Sequence, residues 1–319
     1  MRRYIARRLL YAIPTLLAIS LATFLLTRLS PGDPIRLYTF GDPNITEEDR
    51  QTLAHAYGLD LPLPQQYVNF LGGAVKGDFG TSILYHKPAG PLVIERLGIT
   101  MQLAAVALLL QFLIGVPLGV LAALKRGTWI DGVIRVFGVV GHAVPTFGLG
   151  LLMIILFSVT LRWLPSQGYL TIGHADWDVV DRFRHMIMPA FVLALTGIAN
   201  YSRFLRAETL DVLRQDFIRT AHAKGLHESV VTRVHALRNA LIPVVTAIGG
   251  LLAFLVSGAV VIEQVFTWPG IGQFAYNSVR QKDFPVIIAS VMISSVLLVI
   301  GYLVRDILYA VADPRIKVS

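Results

Sequence analysis

The sequence predicts an all-α membrane protein with six transmembrane helices. Hydrophobic residues make up 55% of the chain, charged residues only 15%, and the mean hydropathy is +0.63. A soluble domain carries roughly 25% charged residues, so a chain this apolar is best explained by embedding in lipid. The apolar residues are also collected into long runs, and a helix needs about 20 of them to cross the hydrocarbon. The 319 residues are therefore predicted to form one transmembrane domain, residues 1–319.

Six apolar runs meet or approach the length of a span. In chain order they cover residues 9–26, 99–124, 132–161, 186–202, 241–262 and 284–304. The first run is followed directly by Thr27 and Arg28, without an Ala-x-Ala site, which favours a retained span over a cleaved signal peptide. The fourth run is short.

The charges on the connecting segments orient the chain. If the N-terminus lies in the cytoplasm, the inner segments hold 17 of the 28 basic residues and seven acids, whereas the outer segments hold 11 basic residues and 12 acids. Basic residues accumulate at the cytoplasmic face, so both termini are predicted to be cytoplasmic. This bias accounts for the net charge of +8, and nucleic acid is not an expected partner. The chain contains no cysteine, which excludes disulfides and thiolate metal sites.

The outer segment, residues 30–98, is too long for a simple turn and is predicted to be a partly folded subdomain. Thr46 with Asp49 three residues on resembles a capping box, and Gly58 supplies a stop, so a helix is expected near 47–57. A second helix is expected over 64–76. The segment is either a docking surface for an extracytoplasmic binding protein or a solvated loop without a partner.

The inner segment, residues 203–240, is predicted to contain two amphipathic helices. Apolar residues recur every three or four positions from Phe204 to Ala221, and the pattern restarts at Val230 after Gly225. Two such helices joined by a tight glycine turn form a rigid knob that can transmit force. A helix pair resting on anionic membrane lipid is the alternative that composition allows.

The same segment carries the most specific resemblance. Residues 216–226 read Asp-Phe-Ile-Arg-Thr-Ala-His-Ala-Lys-Gly-Leu, and residues 235–243 read His-Ala-Leu-Arg-Asn-Ala-Leu-Ile-Pro. This resembles the cytoplasmic motif of permease subunits in the dipeptide/oligopeptide/nickel family of ABC importers. Arg219 and Thr220 replace the Glu and first Ala of the general permease motif, and Pro243 lies later than its spacing, as in the peptide branch. Further stretches resemble that branch in the same order: residues 31–34, 58–67, 77–82, 119–127, 266–272 and 313–316.

The resemblance implies the type I ABC importer permease fold, in the cytoplasmic (inner) membrane of a prokaryote. The expected partners are a sister permease subunit in a heterodimer, two cytoplasmic ATPase subunits and an extracytoplasmic substrate-binding protein. Di- or oligopeptides are the expected substrates, with nickel chelates or sugars as alternatives. The implied ATPase-coupling residues are Arg219, Thr220, Ala221, His222, Ala223, Lys224, Gly225 and Leu226.

No catalytic site is expected in this chain. It has no Gly-x-x-x-x-Gly-Lys-Ser/Thr loop, so ATP and Mg²⁺ are expected on the partner subunits and no cofactor or metal on this one. It has no His-Glu-x-x-His or Gly-x-Ser-x-Gly motif, which disfavours an intramembrane enzyme. No carboxylate pair lies within a span, which disfavours a self-contained secondary carrier.

An outer gate or loop is predicted at the end of the fifth run. Its residues are Glu263, Phe266, Trp268, Pro269, Gly270 and Gly272. Glu263 either gates the pathway or anchors the turn that follows, and this turn is either a re-entrant lip over the pore or a plain tight loop. Rigid helices are expected to carry motion of the knob to this turn.

His142 and Pro145 interrupt the third run and are candidate pathway-lining residues. Irregular backbone at membrane depth survives only against protein or water, and Pro145 removes an intrahelical hydrogen bond. A neutral histidine bonded to a freed carbonyl is the alternative.

Overall fold

The computed structural model describes residues 2–29, 46–56, 60–173, 178–227, 230–240 and 259–312. These residues are helical apart from turns, loops and an isolated antiparallel bridge between Thr81 and Pro88. The all-α prediction is thus confirmed over the described ranges. The chain divides into two compact units, the first formed by Met1–Gly98 with Gln273–Ile300 and the second by Ile99–Gly272 with Gly301–Ser319.

The helices are numbered in chain order. They are α1 (Arg2–Leu29), α2 (Glu47–Ala56), α3 (Leu63–Val75), α4 (Ala89–Leu124), α5 (Trp129–Ala143), α6 (Thr146–Met153), α7 (Val179–Leu213), α8 (Asp216–Ala223), α9 (Leu237–Ala240), α10 (Ile271–Gln281) and α11 (Phe284–Ala312). A π-helical segment, Ile154–Thr160, continues α6, and another, Val231–Ala236, leads into α9. Residues 259–265 are also helical.

Four of these helices are long and apolar enough to cross a membrane. They are α1, α4, α7 and α11, and the pair formed by α5 with Thr146–Thr160 makes a fifth candidate. The first, second, fourth and sixth predicted spans therefore correspond to continuous helices. The fourth is longer than predicted, because α7 has 35 residues. Most of the fifth run, 241–262, lies outside the described residues, so the count of six stays a prediction.

The third predicted span consists of two helical segments rather than one continuous helix. Its two halves are bent by 102° at the break between α5 and α6. Val144 is extended, with ψ 125°, and Pro145 precedes the first residue of α6. Proline disfavours helical backbone in the residue before it and lacks an N–H for the preceding turn, so the chain leaves the helix at Val144.

Both helices predicted in the outer segment are present in the first unit. The Thr46 N–H donates to Asp49 Oδ2 at 2.9 Å, and the Asp49 N–H donates to Thr46 Oγ1 at 3.2 Å, which confirms the capping box at the start of α2. The expected stop at Gly58 lies outside the described residues. Helix α3 ends at Val75, one residue before predicted, and Gly77 follows with φ +79°.

The inner segment differs from the prediction in two respects. The first amphipathic helix is not separate, because α7 continues through residues 203–213 without interruption. No glycine or proline occurs between Ser202 and Leu213, so nothing in the backbone ends the helix there. The chain turns at Arg214 and Gln215 and then forms the short helix α8.

Within the second unit, the later part of α4 approaches α7 closely at two glycines. A Cβ at Gly119 would lie 2.6 Å from Leu205 Cβ and 2.7 Å from the Ser202 carbonyl oxygen. A Cβ at Gly115 would lie 3.0 Å from Tyr201 Cβ. The small residues therefore set the distance between the two backbones.

Candidate coupling and gate sites

The predicted coupling residues form a surface projection, which we call the coupling knob (residues 216–226). Helix α8 makes up most of it, and the chain then turns at Lys224 and Gly225. Of the eight predicted residues, only Ala221 is buried, whereas Arg219, Thr220, His222, Ala223, Lys224, Gly225 and Leu226 are exposed. The segment thus offers a contact surface to another molecule.

The buried side of the knob is packed onto the end of α7. Ile218 and Ala221 share an apolar cluster with Val212 of α7, and Val231 and Ala240 of the following helical segment complete it. All five side chains are at most 6% exposed. The cluster therefore packs three successive elements together: α7, α8 and the helical segment that ends in α9.

Gly225 ends the knob in a left-handed conformation, with φ +74°. The Gly225 N–H donates to the His222 carbonyl at 2.9 Å, and the Leu226 N–H donates to the Ala221 carbonyl at 3.4 Å. This is the arrangement by which glycine commonly stops a helix. A Cβ at Gly225 would meet no atom within 4 Å, so backbone conformation rather than space favours glycine here.

The predicted gate residues surround a buried carboxylate in the second unit. Glu263 is 0% exposed, and the Thr100 hydroxyl donates to its Oε1 at 2.5 Å. The same hydroxyl oxygen accepts the Ile271 N–H at 2.9 Å. The backbone N–H of Trp268 donates to the backbone carbonyl of Glu263 at 2.8 Å. Thr100 therefore ties the carboxylate to the far end of the turn.

The glycines of this turn leave room for the carboxylate. A Cβ at Gly270 would collide with the Glu263 carboxylate and with Thr100 Oγ1. A Cβ at Gly272 would lie 2.8 Å from Val260 Cα and 2.9 Å from Glu263 Oε2. This geometry matches the alternative in which Glu263 anchors the turn, and a gating role stays a prediction.

The aromatic residues of the turn are buried against the loop that follows the third span. Trp268 is 0% exposed and meets Tyr169 edge-on at a centroid distance of 5.0 Å. The Gly168 N–H donates to the Phe266 carbonyl at 2.9 Å. Pro269 is half-buried. The six predicted gate residues thus lie in one packed region, which we call the outer turn (residues 263–272).

His142 and Pro145 lie apart from both sites, at the break in the third span. Both are exposed in the described part of the chain. The described residues place no carbonyl in hydrogen-bond contact with His142, so the alternative of a histidine bonded to a freed carbonyl is not seen. Their role in lining a pathway stays a prediction.

Sequence reasoning missed a buried ion pair between α5 and α7. Arg206 Nε and Nη2 donate to Asp131 Oδ1 and Oδ2 at 2.7 and 2.9 Å. Asp131 is 1% exposed, and its Oδ2 also accepts the Gly127 N–H at 3.1 Å. The position of Asp131 in the first turn of an apolar helix could have indicated a buried carboxylate. The sequence did not indicate that its partner is Arg206, which lies 75 residues away.

No metal centre competes with these sites within the described ranges. They contain no group of three or more His, Cys, Asp or Glu side chains that could hold an ion.

Comparison with known proteins identifies the family. A family model described as "Binding-protein-dependent transport system inner membrane component" matches residues 115–318, and the corresponding N-terminal model matches residues 1–104. The chain belongs to this family. It is the permease subunit of an ABC importer, a multi-pass protein of the cytoplasmic membrane, and its family is one of transport proteins rather than enzymes. The family implies ATPase and binding-protein partners.

Relatives of this permease align over its whole length. It is 44% identical over 318 residues to the oligopeptide transport system permease protein AppB of Bacillus subtilis, covering 99% of this chain and 100% of AppB. It is 39% identical over 319 residues to the glutathione transport system permease protein GsiC of Escherichia coli K12, covering 99% of each. It is 37% identical to the di/tripeptide transport system permease protein DppB of Pseudomonas aeruginosa, again covering 99% of each.

A solved structure supports the fold of the permease. The inward-facing MetNI methionine ABC transporter superposes with a TM-score of 0.52 at 17% identity, covering 70% of this chain and 96% of that one. At this identity the likeness concerns the fold alone, and it agrees with the predicted type I importer permease architecture.

Proposed function

We propose that this permease forms half of the translocation pathway of an ATP-driven importer of di- and oligopeptides. The observation that carries the proposal is the coupling knob, which exposes most of the peptide-branch motif at 216–226 on a helix packed against α7. The names of full-length relatives, which refer to oligopeptide, di/tripeptide and glutathione transport, support peptides over nickel chelates or sugars.

The proposed topology has six spans and two cytoplasmic termini. Four continuous helices and the broken pair supply five of these spans, and the uncharged run at 241–262 supplies the sixth. The excess of basic residues on the inner segments supports this orientation. It places the knob in the cytoplasm and the outer segment, residues 30–98, on the opposite face.

The proposed assembly contains a sister permease subunit, in a heterodimeric pore, and two cytoplasmic ATPase subunits that bind ATP and Mg²⁺. The knob of this chain contacts one ATPase. An extracytoplasmic binding protein delivers the peptide to the outer segment. This chain binds no cofactor and changes no bond in the substrate.

In the proposed cycle, closure of the ATPases on ATP displaces the knob. The apolar cluster of Ile218 and Ala221 passes this displacement to α7, and the outer turn responds at the other face. Peptide released from the binding protein then enters the pathway.

The test is a pair of substitutions at Gly225 in the reconstituted complex with its ATPases and binding protein. Valine at φ +74° carries a backbone strain of about 1–3 kcal/mol and distorts the end of the knob. Asparagine adopts this conformation more readily and is the matched control. We expect Gly225→Val to lower peptide uptake about tenfold, since roughly 1.4 kcal/mol is a factor of ten, while ATP hydrolysis continues and the melting temperature stays near wild type.

Unchanged uptake in Gly225→Val would count against the knob as the coupling element. Peptide flux through this chain reconstituted without any ATPase would instead favour a self-contained carrier.

A further inference from the structure

We infer that Asp131 and Arg206 are positioning residues that pass displacement of the coupling knob to the broken third span. The inference rests on the proposed role of the knob. It concerns contacts within the second unit alone.

The first step is the rigidity of the pair. The Arg206 guanidinium donates through two nitrogens to the two carboxylate oxygens of Asp131, at 2.7 and 2.9 Å. Such a planar, two-point contact fixes orientation as well as distance. Arg135 Nε lies 3.5 Å from Oδ1, and the Gly127 N–H approaches Oδ2 at 3.1 Å, so the carboxylate is held from both its own helix and α7.

The second step is the connection of Arg206 to the knob. Arg206 lies seven residues before Leu213, the last residue of α7, which corresponds to about 10 Å of continuous helix. Val212 in the final turn packs with Ile218 and Ala221 of the knob. Any rigid-body movement of the knob therefore reaches the guanidinium.

The third step is the contact between α5 and α7 beyond the ion pair. A Cβ at Gly138 would lie 3.0 Å from Arg203 Cγ, and a Cβ at Gly141 would lie 3.2 Å from Ala199 Cβ. The two helices thus run antiparallel in a fixed register. Close packing resists separation of the helices, whereas the ion pair also resists sliding along their axes.

The fourth step is the break itself. Helix α5 ends at Ala143, and α6 leaves at 102°. A Cβ at Gly150 of α6 would lie 3.1 Å from Val265 Cγ1 and 3.2 Å from Phe266 Cε2, so α6 abuts the outer turn. A shift of α5 along α7 can be absorbed as a change in this bend, as at a hinge. The knob, α7, α5, α6 and the outer turn are therefore connected by successive contacts.

The test is Asp131→Asn in the complete complex, reconstituted with its ATPases and binding protein. Asparagine keeps the size of the side chain and loses the charge. We expect peptide uptake per assembled complex to fall about tenfold while ATP hydrolysis stays within about twofold of wild type, so more ATP is hydrolysed for each peptide. Arg206→Lys keeps the charge but not the two-point contact, and we expect an intermediate ratio. The exchange Asp131→Arg with Arg206→Asp should recover part of the coupling.

A purely structural role predicts a different result. The yield and melting temperature would fall, but the ATP used per peptide by the complexes that assemble would be unchanged, and the inference would be overturned. If Asp131→Asn does not assemble, Arg206→Lys carries the same comparison.

A spectroscopic readout follows the bend directly. The chain contains no cysteine, so labels can be placed at Val139→Cys and Ile155→Cys, which are exposed positions on either side of the break. Electron–electron double resonance on the complex should show a change in this distance on ATP binding that Asp131→Asn abolishes. The same change in both proteins would overturn the inference.

The two proposals fail separately. Uncoupling by Gly225→Val with normal coupling in Asp131→Asn overturns only the positioning role of the ion pair. Normal coupling in Gly225→Val overturns the knob itself.

Discussion

Replacing Thr100 by valine tests whether the buried bond network holds the outer turn in place. Valine preserves the shape of the side chain but removes the hydroxyl that donates to Glu263 and accepts from the Ile271 N–H. A hydrogen bond contributes about 0.5–1.5 kcal/mol to stability, and a buried N–H left without an acceptor costs about 1–3 kcal/mol. Because neighbouring groups relax and a methyl is gained, we expect a net loss of about 3 kcal/mol in the free energy of unfolding.

The assay is thermal unfolding of the purified permease in detergent. At about 2.1 cal/mol/K of unfolding entropy per residue, 1 kcal/mol shifts the melting temperature of a 319-residue protein by about 1.5 °C, so Thr100→Val should lower it by about 4–5 °C. Thr100→Ser keeps the hydroxyl and loses one methyl, at a cost of about 1 kcal/mol. Thr160→Val removes an exposed hydroxyl bonded within its own helix and should change stability by less than about 0.5 kcal/mol.

The relative melting temperatures of the three variants show whether the hydrogen-bond network holds the outer turn in place. If Thr100→Val melts at the same temperature as Thr100→Ser, the hydroxyl contributes nothing and the network does not hold the turn. If the valine variant is destabilised as expected yet transports peptide normally, the turn is anchored but its rigidity is not needed for transport.

Two further predictions concern packing and charge. Gly119→Ala should lower the free energy of unfolding by about 1–3 kcal/mol, because the new Cβ would meet the α7 backbone. Gly148→Ala is the control and should leave the free energy of unfolding unchanged, because a Cβ there would meet no atom within 4 Å. Thermal unfolding of the two variants checks this difference. In the outer segment, the hydrogen bond from His55 Nδ1 to Asp60 raises the pKa of His55 and lowers the pKa of Asp60. Both groups are therefore charged, and the ion pair is fully formed, between about pH 4 and 6.5. The pair weakens in acid as Asp60 becomes protonated, and it weakens in base only as the pH rises through the raised pKa of His55. Asp60→Asn should return the pKa of His55 toward about 6.5 in a histidine-selective NMR titration, and an unchanged titration would contradict the pairing.

Local pattern was sufficient for much of the fold. The long uncharged runs predicted the helices, since spanning the hydrocarbon requires consecutive apolar residues. Thr46 and Asp49 are three positions apart, so their capping box could be read directly and is confirmed. The motif at 216–226 identified the family because its order and spacing are specific. All of these signals lie within one element.

Local pattern was insufficient where one element continues into another. The apolar run of the fourth span and the amphipathic pattern after residue 203 suggested two helices, but α7 is continuous. A change of periodicity reports a change in the surroundings of a helix and does not require the helix to end. At Pro145 the opposite holds, since the backbone leaves the helix within an apolar run that was predicted as a single span.

The amino-acid order thus determined the class of protein, its helices and the family of its inner motif. The fold alone decided which side chains meet: Asp131 with Arg206 across 75 residues, and Thr100 with Glu263 across 163. It also decided that Ala221 is buried while its neighbours in the knob are exposed. Helical periodicity shows which residues share one face of a helix. Which faces then pair depends on how the helices pack, and the sequence pattern does not contain this information. The close approach at Gly119, for example, depends on the positions of two helix backbones.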